Sequence, residues 1–241
     1  MARRDRLEVA GVRQHVIQRG NDQAPCFFAE PDYVAYLHWL AEGCKTHGVA
    51  IHPYCLMTNH VHMLLTPVRV GALPRVMQYV GRHYVNCVNR VHGRTVTLWE
   101  GRCKSGLVDS EGHLLTLYRY IEQNPVRAQM VEEPEDYCWS SAWTHVSGTR
   151  DERLTDQDVY RRLASVEVAR REAYAALLGE RIEEKALEAI RAALRTNTPL
   201  GTERFKDQIE VLTHRRTGPG RAGRPAREAN GGSREQLNLE V

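Results

Sequence analysis

His60-Val61-His62-Met63-Leu64-Leu65 is an apolar run interrupted twice by an imidazole, with a single valine between the two histidines. Successive side chains of a strand alternate between faces, so in a strand His60 and His62 project to the same side and can grip one metal ion. Further along, Tyr118-Arg119-Tyr120-Ile121-Glu122-Gln123-Asn124-Pro125-Val126 predicts a helix on which Tyr120 and Asn124, four residues apart, share a face. A histidine pair, a phenol and an amide together point to phosphodiester chemistry.

Outward from the histidines, Val49 to Met57 reads as a strand joined to His60–Thr66 through Thr58-Asn59, a short polar link that fits a hairpin. Val12 to Gly20 is a first strand ended by Gly-Asn. A helix is expected from Pro31, well placed at a first helical position, to the stop at His47-Gly48. Leu73, Val76, Met77, Val80, Tyr84, Cys87, Val88 and Val91 recur at three- and four-residue steps, an amphipathic helix stopped by Gly93. A fourth strand is expected between Thr95 and Val108. The next helix should start at Ser110, a good N-cap, and end at Asn124, because the residue before Pro125 is pushed out of the helical region. This order, strand-helix-strand-strand-helix-strand, is an α+β, ferredoxin-like βαββαβ sheet with helices on one face and the histidine strand in the middle.

Composition changes after Tyr137-Cys138-Trp139-Ser140-Ser141-Ala142-Trp143, and Ser147-Gly148-Thr149 reads as a linker. We therefore expect a domain over residues 1–149 and a mostly helical region over 150–212, whose helices could also pack back on the sheet. An Arg/Gly/Pro-rich flexible tail over 213–241 would follow. With 241 residues, 42% hydrophobic and 26% charged, the chain can bury a full core. No run approaches the ~18 apolar residues of a membrane span, and no signal-peptide core follows Met1, so a cytoplasmic protein without membrane contact is expected, and phosphodiester chemistry on DNA would make it nucleoid-associated. The six cysteines form no CxxC pair and fit reduced, buried thiols. Residues 214–227 hold five arginines and no acid; removing those five from the chain's +3 leaves −2 for the rest. Arginines on a Gly- and Pro-rich segment can hold nucleic-acid phosphates, although a solvated terminus accounts for them equally well.

Met57-Thr58-Asn59-His60-Val61-His62-Met63-Leu64-Leu65, Tyr120-Ile121-Glu122-Gln123-Asn124-Pro125-Val126-Arg127-Ala128 and Val16-Ile17-Gln18-Arg19-Gly20-Asn21 together resemble the single-tyrosine HUH transposases (IS200-like). More closely they resemble the branch associated with repetitive extragenic palindromes (REP), which Leu98-Trp99-Glu100-Gly101-Arg102 and Trp139-Ser140-Ser141 also fit. The resemblance implies that Tyr120 is the nucleophile and that His60, His62 and Asn124 hold a divalent metal. It also implies a partner, single-stranded hairpin (REP-like palindromic) DNA, cut and rejoined through a 5′-phosphotyrosine by a monomer or homodimer. The implied cofactor is Mg2+ or Mn2+; imidazole ligands by themselves favour zinc, copper, iron or nickel, and manganese suits mixed nitrogen and oxygen donors better than magnesium.

Tyr118 is the rival phenol, but it lies about 200° around the helix from Tyr120, so the two cannot both face the metal. It reads as a core or DNA-stacking aromatic. Arg19, Asn21, Arg102 and Lys104 are candidate DNA contacts, as are Arg215, Arg216, Arg221 and Arg224 in the tail. Glu122 reads as a surface carboxylate, and His52 as a second-strand side chain near the site that is not a ligand. The competing readings are a non-catalytic DNA- or RNA-binding protein on the same fold and an HUH replication initiator or relaxase-like nickase. Relaxases place the tyrosine before the histidines, the reverse of the order here.

Overall fold

The computed structural model describes residues 6–109 and 112–218. Four strands, β1 (Arg13–Arg19), β2 (Val49–Met57), β3 (His60–Pro67) and β4 (Lys104–Val108), form one sheet in the order β2-β3-β1-β4, with every neighbouring pair antiparallel. The ferredoxin-like reading holds, and β3 is central. Thr58 and Asn59 make the two-residue link of the β2–β3 hairpin, with Met57 opposite His60.

Helices α1 (Glu30–His47) and α2 (Ala72–Val91) cover one face, as expected. The carboxylate of Asp32 accepts from the backbone N–H groups of Phe28 (2.8 Å) and Ala29 (3.0 Å), which quenches donors that the first turn of α1 leaves unpaired. At the other end Gly48 takes φ 70°, the left-handed cap conformation that closes a helix at low cost. Tyr36, Leu40, Leu73, Val76 and Val80 pack there on Val16, Val61, Met63 and Leu65, one half of the strand alternation.

The opposite face is covered too. The helix expected from Ser110 to Asn124 runs as α3 (Leu114–Glu122), with a separate turn, α4 (Asn124–Arg127), after it. Ser110, the expected cap, lies outside the described residues. Pro125 lacks the N–H that would continue the helix ladder to Ile121 O, so the chain breaks step at Gln123 and restarts at Asn124 with proline in the first turn, where it is tolerated.

Beyond α3 come α5 (Ala142–Ser147), α6 (Asp158–Arg161), α7 (Glu167–Gly179), α8 (Glu184–Thr196) and α9 (Glu203–Thr213). Tyr160, Tyr174, Leu178, Ile190 and Leu194 share one core with Leu64 of the sheet and Leu117 and Tyr118 of α3. The composition break at Ser147-Gly148-Thr149 is therefore not a break in packing. Single residues of this region also extend both sheet edges. Leu154 bridges Ile51 of β2, while Leu200 bridges Val108 of β4 and donates to Leu107 O at 2.8 Å. An open strand edge is a pairing hazard, and these bridges cover part of each.

Glu122 is the clearest correction to the sequence reading. It is fully buried, accepting from the Ser141 hydroxyl, from His145 Nδ1 (2.6 Å) and from the Tyr174 hydroxyl (2.6 Å). The side of α3 that faces the second helical layer is dry, so a carboxylate on that side is kept only by such donors. His52 serves the same packing: its ring meets Thr155 O (2.5 Å), the Thr66 hydroxyl (2.8 Å) and the Gln157 amide, tying the C-terminal region to the sheet.

Candidate active site

Strand register assembles the site on the face beneath α3. Arg19 lies opposite His60, Ile17 opposite His62, and Lys104 opposite Ile17, so Arg19, His60, His62 and Lys104 emerge on one side of three adjacent strands. His15, two residues from Ile17, joins them. Tyr120 descends from α3, its ring edge-on to His62 (centroids 5.7 Å apart, 81°) and to His15 (5.8 Å, 80°). The rings of His60 and His62 are 5.0 Å apart. Asn124 Nδ2 donates to Tyr120 O (3.1 Å) and Ile121 O (3.3 Å), which leaves its Oδ1 as the available acceptor. His60, His62, Tyr120 and Asn124 line one cavity of about 440 Å³.

Hydrogen bonds behind the histidines set which nitrogens remain basic. Asn59 Nδ2 donates to Gln23 O (3.0 Å), so its Oδ1 accepts from His60 Nδ1 (2.6 Å), and the lone pair of His60 is on Nε2. His62 Nδ1 pairs with His15 Nε2 at 3.0 Å. With the shared hydrogen on His62 Nδ1, His62 Nε2 is also a lone-pair donor, the arrangement in which a metal-binding imidazole is oriented from behind. Among the described residues no group of three or more His, Cys, Asp and Glu side chains could hold a metal ion. Two imidazole nitrogens and the neutral amide oxygen of Asn124 are the donors that fit one.

Burial keeps these imidazoles uncharged. It lowers His15 to about 3 and His60 to about 4, where the Arg19 charge adds to it, and it takes His62 well below the usual value, with His15 and His60 adding to it. His52 is lowered to about 4 by the same desolvation. Neutral imidazole is the form that binds metal. It also makes stability depend on pH. Below ~6.5 the unfolded chain takes up protons that the folded chain refuses, so these groups favour folding fully above that value and progressively less down to their folded pKa values. Each contributes up to about 1.4 kcal/mol per pH unit. His145 opposes them by one proton: burial lowers its pKa, but the Glu122 carboxylate more than offsets this. We expect the melting temperature to fall by on the order of 10 °C between pH 7 and pH 5.5. A level melting temperature over that range would show that the imidazoles are not held neutral.

Arg127 completes the surroundings of the phenol. Its guanidinium lies 4.4 Å from the centroid of the Tyr120 ring and donates to Tyr120 O at 2.5 Å. Tyr118, by contrast, is fully buried against His145 and Tyr174 (5.5 and 6.4 Å between ring centroids), which makes it a core aromatic.

Of the other residues singled out by sequence, Arg19, Arg102 and Lys104 line the cavity. Asn21 does not; it is exposed in a short 3-10 turn, with its backbone N–H on Leu98 O (2.9 Å). Arg215 lies against Arg6, donating to its carbonyl at 3.3 Å, and Arg216 is exposed. Arg221 and Arg224 fall outside the described residues. Sequence reasoning missed His15, Arg127, Arg191 and Arg195. Alternation along β1 could have put His15 on the face of Ile17 and Arg19, but only register brings that face to His62.

Residues 8–124 match the model of a family described as transposase, IS200-like. A solved structure of a REP-associated tyrosine transposase bound to a REP hairpin is 14% identical, with a TM-score of 0.53 over 65% of this chain and 93% of that one. A candidate transposase from Deinococcus radiodurans R1 is 19% identical, with a TM-score of 0.36 over 51% of this chain and 97% of that one. No curated protein matches significantly. The matched segment begins before β1 and ends at Asn124, so it contains the whole sheet and the helix that carries Tyr120. Residues 8–124, a little under half of the chain, are thus similar to the IS200-like transposase family, and the REP-bound structure shares the fold.

Proposed function

We propose that this chain is a metal-dependent DNA strand transferase that cleaves and rejoins single-stranded, hairpin-forming DNA through a 5′-phosphotyrosine on Tyr120. The observation that supports it most is Tyr120 sharing a cavity with His60, His62 and Asn124. The Tyr120 hydroxyl attacks the scissile phosphorus and gives up its proton. A bond forms between phosphorus and the phenolic oxygen, the bond to the 3′-oxygen breaks, and one fragment leaves with a free 3′-OH. In the reverse step a 3′-OH attacks the phosphotyrosine, displaces the phenol and restores a phosphodiester, so no nucleotide triphosphate is consumed.

A phenol is a weak nucleophile at neutral pH. Arg127, stacked on the ring, favours charge developing on the phenolic oxygen and restricts the ring's rotation. His60, His62 and Asn124 would hold the cation, magnesium or manganese, with His15 orienting His62 from behind. Bound there, the cation supplies Lewis-acid stabilisation of charge on the phosphate oxygens. Within this reading, residues 1–149 carry the chemistry and 150–212 form the helical layer over α3. Residues 213–241 add cationic charge for DNA through Arg215, Arg216, Arg221 and Arg224.

The hairpin preference rests on the REP-bound relative, which shares the fold. The test is incubation of the protein with end-labelled hairpin DNA and manganese, followed by denaturing electrophoresis. Expected are a fragment with a free 3′-OH and a protease-sensitive, slowly migrating adduct carrying the other label. Retention of the DNA under native conditions, with neither product on the denaturing gel, would make the protein a non-catalytic binder.

A further inference from the structure

We propose that α8 forms one wall of the active-site cleft and that its Arg191 and Arg195 grip the backbone of unpaired DNA beside the scissile phosphate. This makes the helical region after residue 149 part of the DNA-binding surface. The inference rests on the strand-transferase reading for what the cleft holds.

α8 lies beyond the residues matched to the family, and its own packing puts it at the site. Leu187, Ile190 and Leu194 form a stripe at three- and four-residue spacing that is buried in the core shared with α3. The chain leaving α8 is tied to β4, with Leu200 N on Leu107 O and Asp109 N on Leu200 O, each at 2.8 Å. Gly106 on β4 faces the same connection: a Cβ there would meet Thr198 O at 3.4 Å. With its stripe buried and its end fastened, α8 holds Arg191 and Arg195, one turn apart at the border of the stripe, over the cavity that contains Tyr120.

A second cavity, of about 240 Å³, opens alongside and shares Arg102, Lys104, Leu194 and Arg195 with the first. The two make one groove running from Tyr120 between β4 and α8 toward Arg6. Among the described residues Arg6, Arg19, Arg102, Lys104, Arg191 and Arg195 line it, against a single acid, Glu100. Arg191 and Arg195 already meet carboxylates, Glu184 at 3.1 Å and Glu188 at 3.3 Å. Both pairs are exposed and lie along one helix; such pairs are weak, and a guanidinium exchanges a lone carboxylate for a phosphate readily. A cationic groove that tracks a backbone is how unpaired nucleic acid is held without reading its bases, and its volume is on the scale of a small-molecule pocket.

The test is binding of a short, unstructured, dye-labelled oligonucleotide to the full chain without divalent cation, followed by fluorescence anisotropy across a salt series. Losing two phosphate contacts should flatten the slope of log affinity against log salt by about 1.4 and weaken binding at 0.1 M salt by on the order of tenfold or more. Arg191→Gln/Arg195→Gln should show both effects, and Arg191→Lys/Arg195→Lys should restore most of the slope. Arg82→Gln/Arg162→Gln, the same charge change at exposed positions away from the groove, should show neither. Unchanged curves for the α8 variant, equal losses in both glutamine variants, or tighter binding once the α8 arginines are removed would overturn the proposal. Because no cleavage is needed, a protein that binds through α8 and never forms an adduct overturns the transferase reading alone. An adduct with an unaltered salt slope overturns the role of α8 alone.

Discussion

Tyr120→Phe should eliminate the covalent protein–DNA adduct while hairpin affinity stays within about threefold of wild type. The substitution removes only the hydroxyl; the ring keeps its edge-on packing on His62 and His15 and its contact with Arg127. Neither hydrogen bond to the backbone at this position is altered, since Asn124 and Arg127 donate to the carbonyl of Tyr120 rather than to its side chain. Loss of the adduct would therefore report lost chemistry, not a collapsed site. Tyr118→Phe is the matched comparison, because it removes a hydroxyl two residues away that is buried on the far side of α3. It should retain the adduct. The two variants would be compared on denaturing gels with labelled hairpin and manganese, and an adduct that survives in Tyr120→Phe but not in Tyr118→Phe would transfer the nucleophile to Tyr118.

His60→Ala and His62→Ala should each weaken manganese binding by more than about 100-fold and depress cleavage by at least the same order, with hairpin binding largely kept. The ground for the magnitude is that outer partners of metal-binding histidines alone are worth about 10–100-fold in affinity, and a ligand is worth more. His15→Ala supplies the graded comparison. It removes the ring that pairs with His62 Nδ1 but no donor to the cavity, so a loss within that ~10–100-fold range is expected. Isothermal titration with manganese measures all three. Because His62 is buried, His62→Gln, which keeps a neutral polar side chain in the space, separates ligand loss from a cavity left behind. Equal manganese affinity in wild type, His60→Ala and His62→Ala would remove the histidine pair from metal binding altogether.

The order of residues along the chain fixes its local periodicities. His60 and His62 are on one face because a strand repeats every two residues, and Asn124 sits one turn from Tyr120 because a helix repeats every 3.6. Proline after Asn124 marks the end of α3, and Thr58-Asn59 marks the hairpin. All of these are set by neighbours in the chain, so the strand-helix order follows from them, and that order is the one a ferredoxin-like sheet with β3 in the middle requires. The start of α3 is not legible in the same way, because a serine can cap only the helix that packing allows to begin there, and this one begins at Leu114.

What tertiary structure decided is which faces are covered and which strands touch. Glu122 looks like a surface carboxylate on a helix read alone; it is buried because Ser141, His145 and Tyr174 arrive from residues far along the chain. His15 reaches His62 only through the β1–β3 register, and a one-residue slip would turn it to the other face. Arg191 and Arg195 are ordinary charges on an amphipathic helix until burial of Leu187, Ile190 and Leu194 swings that helix over the cavity. The physical distinction is range: backbone period and turn chemistry act over a few residues and are written in order along the chain. Desolvation, register and the placing of charge around Tyr120 depend on surfaces that meet only after the chain has folded.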